Sequence, residues 1–324
     1  MTNPSAELLT QAKDKEGKKA SAKTFPISSI PDVMNRMGWK VAARVMRQWF
    51  DGEAFELSQQ HKQGKLPAST LDKKNLITDI PFDWLFTASD RVKPKVDQFL
   101  SELAASTEFN SSIGKSKGLL DQLSNGLVVM MTRLRRLGLL DVKAGKLKDA
   151  FCDFGDKTAI ELEELSQFNL IRVGSTTQEK ALDALDDVYG AFGNFLVKVA
   201  ATRFRTIVDD NGFQAIEIME LGFYGRDTYD FLNDDGDQLL GYWADEGVLR
   251  PNVYDYFVGK PAVIKNEGVD YCRITNDHFN EFRNKYKKGG DMISFTTVKL
   301  YETSFIVHLG PLDFEEYKFR SGSM

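Results

Sequence analysis

Two strand-like runs joined by a tight turn constrain this chain more than any other feature. They are "AFGNFLVKVAATRFRTIV" (residues 191–208) and "FQAIEIMELGFY" (residues 213–224), linked by "DDNG". β-Branched and aromatic residues are enriched on both sides, and Asp-Asn-Gly supplies the positive φ that a tight hairpin requires. Further strand-like pieces follow: "QLLGYW", "PNVYDYFV", "VDYCRI" and "MISFTTVKLYETSFIVHL". Between them "NDHFNEFRNKYKKGGD" reads as one helix over 276–287, opened by an Asn/Asp cap and closed by Gly-Gly. Residues 181–324 therefore read as an antiparallel β-rich domain with one helix.

Upstream the period changes from two to 3.6. Ser29 suits an N-cap and Pro31 a first turn, after which Ile30, Met34, Met37, Val41, Val45 and Trp49 recur at helical spacing until Asp51-Gly52. This Met-rich stripe either docks a partner or packs on its own domain, while Lys40, Arg44 and Arg47 solvate the outer side. "VDQFLSELAAS", "SKGLLDQLSNGLVVMMTRLRRLGLLD" and "TAIELEELSQF" continue the helical pattern, and "IPFDWLF" reads as an irregular connector. Arg133, Arg135 and Arg136 read as a solvated helix face rather than an anion site. The expected fold class is α+β: a flexible tail over 1–25, a helical region for loading or docking over 26–180, then the β-rich domain.

Composition narrows the function. A net charge of −5 and a pI near 5.5 argue against a nucleic-acid partner, which needs clustered Lys/Arg facing phosphates. Cys152 and Cys272 are too few for a disulfide framework, and His61, His278 and His308 offer no metal-binding helix motif. The N-terminus lacks an apolar signal region, and "GLVVMM" falls far short of a membrane span. The expectation is a chain folded in the cytoplasm and not integral to a membrane. A route other than general secretion would carry it elsewhere.

The chemistry concentrates in "GRDTYDFLNDDGDQLLGYW", residues 225–243. On a strand, Asp227 and Tyr229 point to one face, and Arg226 and Thr228 to the other with Asp230. If the strand bends at Tyr229, Asp227, Asp230 and Arg226 could supply a water-activating base or divalent-cation ligands and a donor for developing negative charge. Tyr229 would orient a carboxylate or donate to a phosphate oxygen. In the alternative reading Asp230 to Gly236 form Asx turns, Tyr229 fills the core and Arg226 neutralises Asp227. "NDDGDQ" cannot be an EF-hand loop, because no register supplies its ligand positions between two helices.

Two resemblances bear on the choice. "IPDVMNRMGWKVAARVMRQWF", "GFYGRDTYDFLNDDGDQLLGYW" and "FNEFRNKYKKGGDMISFTTV" together resemble an uncharacterised family of Gram-negative bacterial proteins often encoded near type VI secretion genes. The stretch from "AFGNFLVKVAATRFRTIV" to "GRDTYDF" is similar to the toxin domain of the colicin M family, metal-dependent phosphodiesterases that cut the lipid-linked peptidoglycan precursor. That resemblance implies catalytic roles for Asp227, Tyr229 and Asp230, with Asp227 and Asp230 handling water or Mg²⁺. The family's following His-Arg pair is missing here. No basic residue follows until Arg250, so His278 and Arg283 on the later helix are the candidates to replace it.

The implied function is a type VI secretion-linked antibacterial effector. It would be loaded through a secretion spike or chaperone, delivered to the target envelope or periplasm, and restrained by an immunity protein. The alternative is a non-enzymatic effector chaperone, adaptor or immunity protein.

Overall fold

Leu196 pairs with Arg226 and Val208 with Gln214, so the two runs around the Asp-Asn-Gly turn form one long antiparallel hairpin. The computed structural model describes residues 25–105, 108–110, 121–141, 143–174, 184–209, 214–233, 237–250 and 261–309. The tail over 1–24, the hairpin turn itself and "PNVYDYFV" lie outside the described residues.

Helices α1 (Ile30–Arg36), α2 (Lys40–Asp51) and α3 (Gln59–Lys62) come first, then strand β1 (Leu76–Ile80). Helices α4 (Phe82–Thr87) and α5 (Lys93–Ala104), strand β2 (Glu108–Asn110) and helix α6 (Asp121–Arg136) follow. Next are β3 (Leu140–Asp141), β4 (Lys146–Leu147), β5 (Ala150–Asp153), α7 (Ala159–Leu165), β6 (Gln167–Val173) and α8 (Asp187–Phe192). The hairpin is β7 (Phe195–Val208) and β8 (Gln214–Tyr229). After it come β9 (Leu239–Ala244), β10 (Gly247–Leu249), β11 (Val263–Asn266) and β12 (Val269–Thr275). The last elements are α9 (Asn276–Tyr286), β13 (Met292–Thr296) and β14 (Lys299–Leu309).

The chain is α+β, with helix weighted to the N-terminal region and strand to the C-terminal part. In the main sheet β8 is central. β7 runs antiparallel along one side, while β13 and β14 follow one another antiparallel along the other. β5 and β6 flank β7, and β1 and β2 flank β13 and β14. A second, antiparallel sheet has the order β10-β9-β12-β11.

Three expectations need correction. The region over 26–180 is weighted to helix as expected but also supplies β1, β2, β5 and β6 to the main sheet. Residues 181–309 hold a second helix, α8, beside α9; their strands pair antiparallel with one another as expected, and the parallel pairs join β13 to β1 and β14 to β2. "IPFDWLF" is the end of β1 followed by α4, not an irregular connector. These strands are too short for periodicity to separate them from helix, and pairing across the fold decides them.

The Met-rich stripe is two helices rather than one. Gly38 takes a left-handed φ of 85° and turns the chain between α1 and α2. Pro31 sits in the first turn of α1 as expected, but the Ser29 side chain makes no capping bond. Ile30, Met34, Val45 and Trp49 are buried, and Met37 and Val41 pack against the same core. The stripe therefore faces its own domain. Arg44 and Arg47 on the outer side pair with Asp79 and Asp32, each at 2.7 Å.

A remote side chain caps α2. Asp187, at the start of α8, accepts from the backbone N–H of Ala42 at 2.8 Å and of Val41 at 3.2 Å, and from Trp84 Nε1 at 3.1 Å. It satisfies orphan donors and opposes the positive end of the helix. Gly190 lets α8 approach closely, since a Cβ there would come within 2.9 Å of both Ala42 and Trp39. Replacing Asp187 by Ala should cost about 1–2 kcal/mol, the range for a lost N-cap. Urea unfolding measures this, and an unchanged midpoint would refute the remote cap.

Candidate functional site

β8 is buried along nearly its whole length because helices cover both of its faces. On one face Phe223 packs edge-on against Phe99 of α5, and Tyr229 meets Met46 of α2. On the other, Tyr224 and Phe295 pack with Leu162 of α7. Period-2 alternation thus separates Asp227 from Arg226, as the sequence predicts.

Asp227, Tyr229 and Asp230 line a cleft of about 350 Å³. Its walls come from α1, α2, α8, the end of β8 and the small sheet, including Trp39, Phe192, Leu239, Trp243 and Val248. Asp230 follows the last residue of β8, which is how both carboxylates reach the cleft despite strand alternation. Lys62 of α3 donates to Asp230 Oδ1 at 3.0 Å, both side chains being mostly buried. Burial, then the charge of Asp230, hold the Asp227 carboxyl well above the usual range; Arg226 and the Thr228 N–H act in the opposite direction.

Tyr229 is a wall residue. Its hydroxyl donates to Met46 Sδ at 3.3 Å, and its ring stands edge-on to Phe231, which stacks on Phe279. Burial pushes its hydroxyl pKa up, so it stays protonated.

The three basic candidates do not line this cleft. Arg226 lies on the opposite face, with Nε 2.9 Å from Glu163 and Nη2 donating to the His61 carbonyl at 3.0 Å. His278 caps α9 from its third position: Nδ1 accepts from the Thr275 N–H at 3.1 Å. The cap is therefore Thr275 and His278 rather than an Asn/Asp pair, and burial lowers the imidazole pKa. Arg283 is buried against Asp291 and donates to the Gly289 carbonyl at 2.9 Å.

Two other cations stand in their place. Lys62 reaches Asp230, and Arg250, directly after β10, lines the cleft with its guanidinium 5.8 Å from the Tyr189 ring centroid. Arg250 is detectable in sequence as the first basic residue after the motif. Lys62 carries no such signal. Among the described residues no three His, Cys, Asp or Glu side chains group as a metal site, and no helix is long and apolar enough to cross a membrane.

The raised Asp227 pKa has a signed consequence. The folded chain holds this proton to higher pH than the unfolded chain, so its stabilisation is complete below about pH 4 and is lost as pH rises through the folded value. Asp227→Asn should melt above the parent protein at pH 8, with the difference shrinking toward pH 4. Thermal melts across that range check the sign; a variant less stable at pH 8 contradicts the assignment.

The chain belongs to a family of unknown function (DUF6402), which matches residues 25–307. Neither the curated proteins nor the solved structures give a match to it.

Proposed function

We propose that this protein is a hydrolase of phosphodiesters and that the cleft at the end of β8 is its active site. One observation carries the reading: Asp227 and Asp230 share a cleft with Arg250, which arrives from a different sheet. Two carboxylates in unlike surroundings divide acid and base roles. Asp227, whose carboxyl is held above the usual range, donates its proton to the leaving oxygen. Asp230, positioned by Lys62, takes the proton from the attacking water, and Arg250 offsets charge on the phosphate oxygens.

The wall of Trp39, Phe192, Leu239 and Val248 suits a substrate with an apolar portion. This supports a lipid-linked peptidoglycan precursor as substrate; the role of a type VI secretion-linked effector, with an immunity protein as its partner, rests on the sequence resemblance. Two carboxylates plus substrate oxygens are an ordinary donor set for Mg²⁺. Asp227 and Asp230 would hold it only with both carboxyls ionised, so this is the alternative to their acid and base roles; the ion would then neutralise phosphate charge.

The test is expression in the periplasm and, separately, the cytoplasm of a susceptible bacterium, scored for lysis. Hydrolysis of the purified lipid-linked precursor is assayed in parallel. The protein should kill only from the periplasm. Asp227→Asn, Asp230→Asn and Arg250→Ala should each lower hydrolysis at least about a hundredfold, the scale of a lost acid, base or oxyanion donor. A doubly Asn-substituted protein that folds normally and still kills would end this reading.

A non-enzymatic chaperone, adaptor or immunity role is favoured by Phe151, which is 63% exposed on β5 at the edge of the main sheet. Aromatic side chains are enriched at protein interfaces. In that reading Phe151→Ser abolishes co-purification with a toxin encoded by a neighbouring gene, and the Asn substitutions are silent.

A further inference from the structure

The face of β8 opposite the cleft carries a second concentration of charge. Lys198 of β7 lies directly across from Tyr224 of β8, and Arg226 follows on the same face two residues later. α7 presents Glu163 to both cations: Arg226 Nε is 2.9 Å from Glu163 Oε1, and Lys198 Nζ is 3.8 Å from the same oxygen. Arg133 of α6 approaches the same group, turning inward while Arg135 and Arg136 are exposed. Three cations therefore converge where one carboxylate is shared.

The hydrogen bonding is incomplete in a specific way. The Tyr224 side chain is fully buried and its hydroxyl has no partner. Arg133 Nε is also buried without a partner, and among the described residues Arg133 forms no ion pair. Glu164, the other nearby carboxylate, accepts from Ser69 Oγ at 2.5 Å. Burial depresses the pKa of both Lys198 and Arg133, so folding holds these charges against a desolvation cost. Buried polar groups are normally satisfied, and buried cations normally paired. The unpartnered groups here are all donors, or a hydroxyl able to donate, beside an excess of positive charge. That combination selects an anion with several acceptor oxygens.

We propose that Arg133, Lys198, Arg226 and Tyr224 together form a site for a small tetrahedral oxyanion of the phosphate or sulfate class. The site lies on the other side of the main sheet from the cleft and does not depend on any hydrolytic activity. The bound anion would accept from Tyr224 and Arg133 and neutralise the charge that Glu163 leaves uncompensated. Its consequence is stability coupled to oxyanion concentration, because a ligand bound only by the folded state stabilises that state by mass action.

The test uses the full chain in thermal unfolding and calorimetric titration. Potassium phosphate and potassium sulfate are compared with potassium chloride at equal ionic strength. Phosphate or sulfate should raise the melting temperature saturably, and chloride should not. Arg133→Gln and Tyr224→Phe should each weaken the apparent anion affinity about tenfold or more, the worth of a charge-assisted hydrogen bond. Arg135→Gln, on the exposed side of the helix, should respond like the parent protein.

Tyr224→Phe also separates this site from a purely structural cluster. In chloride it should melt at or above the parent protein, since an unpartnered buried hydroxyl has been removed, yet it should lose most of the phosphate response. Absence of any oxyanion-specific rise in the parent protein overturns the proposal. A rise that survives unchanged in both Arg133→Gln and Tyr224→Phe overturns it as well, by placing the binding elsewhere on the surface.

Discussion

Trp49→Ala should lower the stability of this protein by about 3–5 kcal/mol, the range for truncating a large buried aromatic. Trp49 has no solvent exposure and meets Phe50, Phe231 and Phe279 edge-on, with ring centroids 5.0–5.3 Å away. Its Nε1 donates to Asp291 Oδ1 at 3.1 Å, and the Arg283 guanidinium lies 5.4 Å from its ring centroid. Gly289 shows how closely the backbone fits the ring. At a φ of 103°, a Cβ there would fall within 2.6 Å of the indole. Truncation leaves a cavity that this framework cannot close, and removes a donor from a buried carboxylate. Urea unfolding should show a lower midpoint at constant slope. A loss below about 1 kcal/mol would mean that the stripe around Trp49 is not core.

Arg283→Met should cost a similar amount, about 3–5 kcal/mol, for a different reason. The Asp291 side chain is fully buried and accepts from Arg283, Trp49 Nε1 and the Leu57 N–H. Burial already lifts its pKa to about 6, with Arg283 pulling it down. Removing Arg283 leaves that carboxylate uncompensated, and its pKa rises further. The stabilisation from a raised carboxyl is complete below its unfolded value and is lost as pH rises through the folded value. The deficit of Arg283→Met should therefore be smallest near pH 5 and largest near pH 8. Arg283→Met combined with Asp291→Asn should recover most of the loss, because the buried charge is gone from both sides. A deficit of equal size at pH 5 and pH 8 would show that the pairing is not what Arg283 provides. Any loss of activity in this variant should follow its stability, since the guanidinium does not line the cleft.

Asp227→Asn has an unlike signature. It should gain stability at alkaline pH while losing hydrolysis, the combination expected when a buried acid is kept for chemistry rather than for folding.

Local pattern made much of this fold legible. The hairpin was readable from β-branched runs flanking Asp-Asn-Gly, and α9 from its terminal Gly-Gly, though its cap is Thr275 with His278. Period-2 alternation alone separated Asp227 and Tyr229 from Arg226. These features depend on residues within one turn or one strand of each other, so the chain alone determines them.

Tertiary structure decided the rest. "LITDI" and "QFNLIRV" became β1 and β6 because β13 and β7 offered them unpaired backbone, and only the assembled sheet supplies such partners. Asp187 became the cap of α2 from a position 145 residues beyond Ala42. His278 and Arg283, the candidates to replace the missing His-Arg pair, were taken up by a helix cap and a buried ion pair. Lys62 and Arg250 reached the motif instead, brought there by α3 and by the end of β10. The charge state of Asp227 belongs to the same class. The sequence determined that a carboxyl stands at that point of the strand. Only the fold, by drawing it from solvent beside a second carboxylate, decided that its pKa is raised.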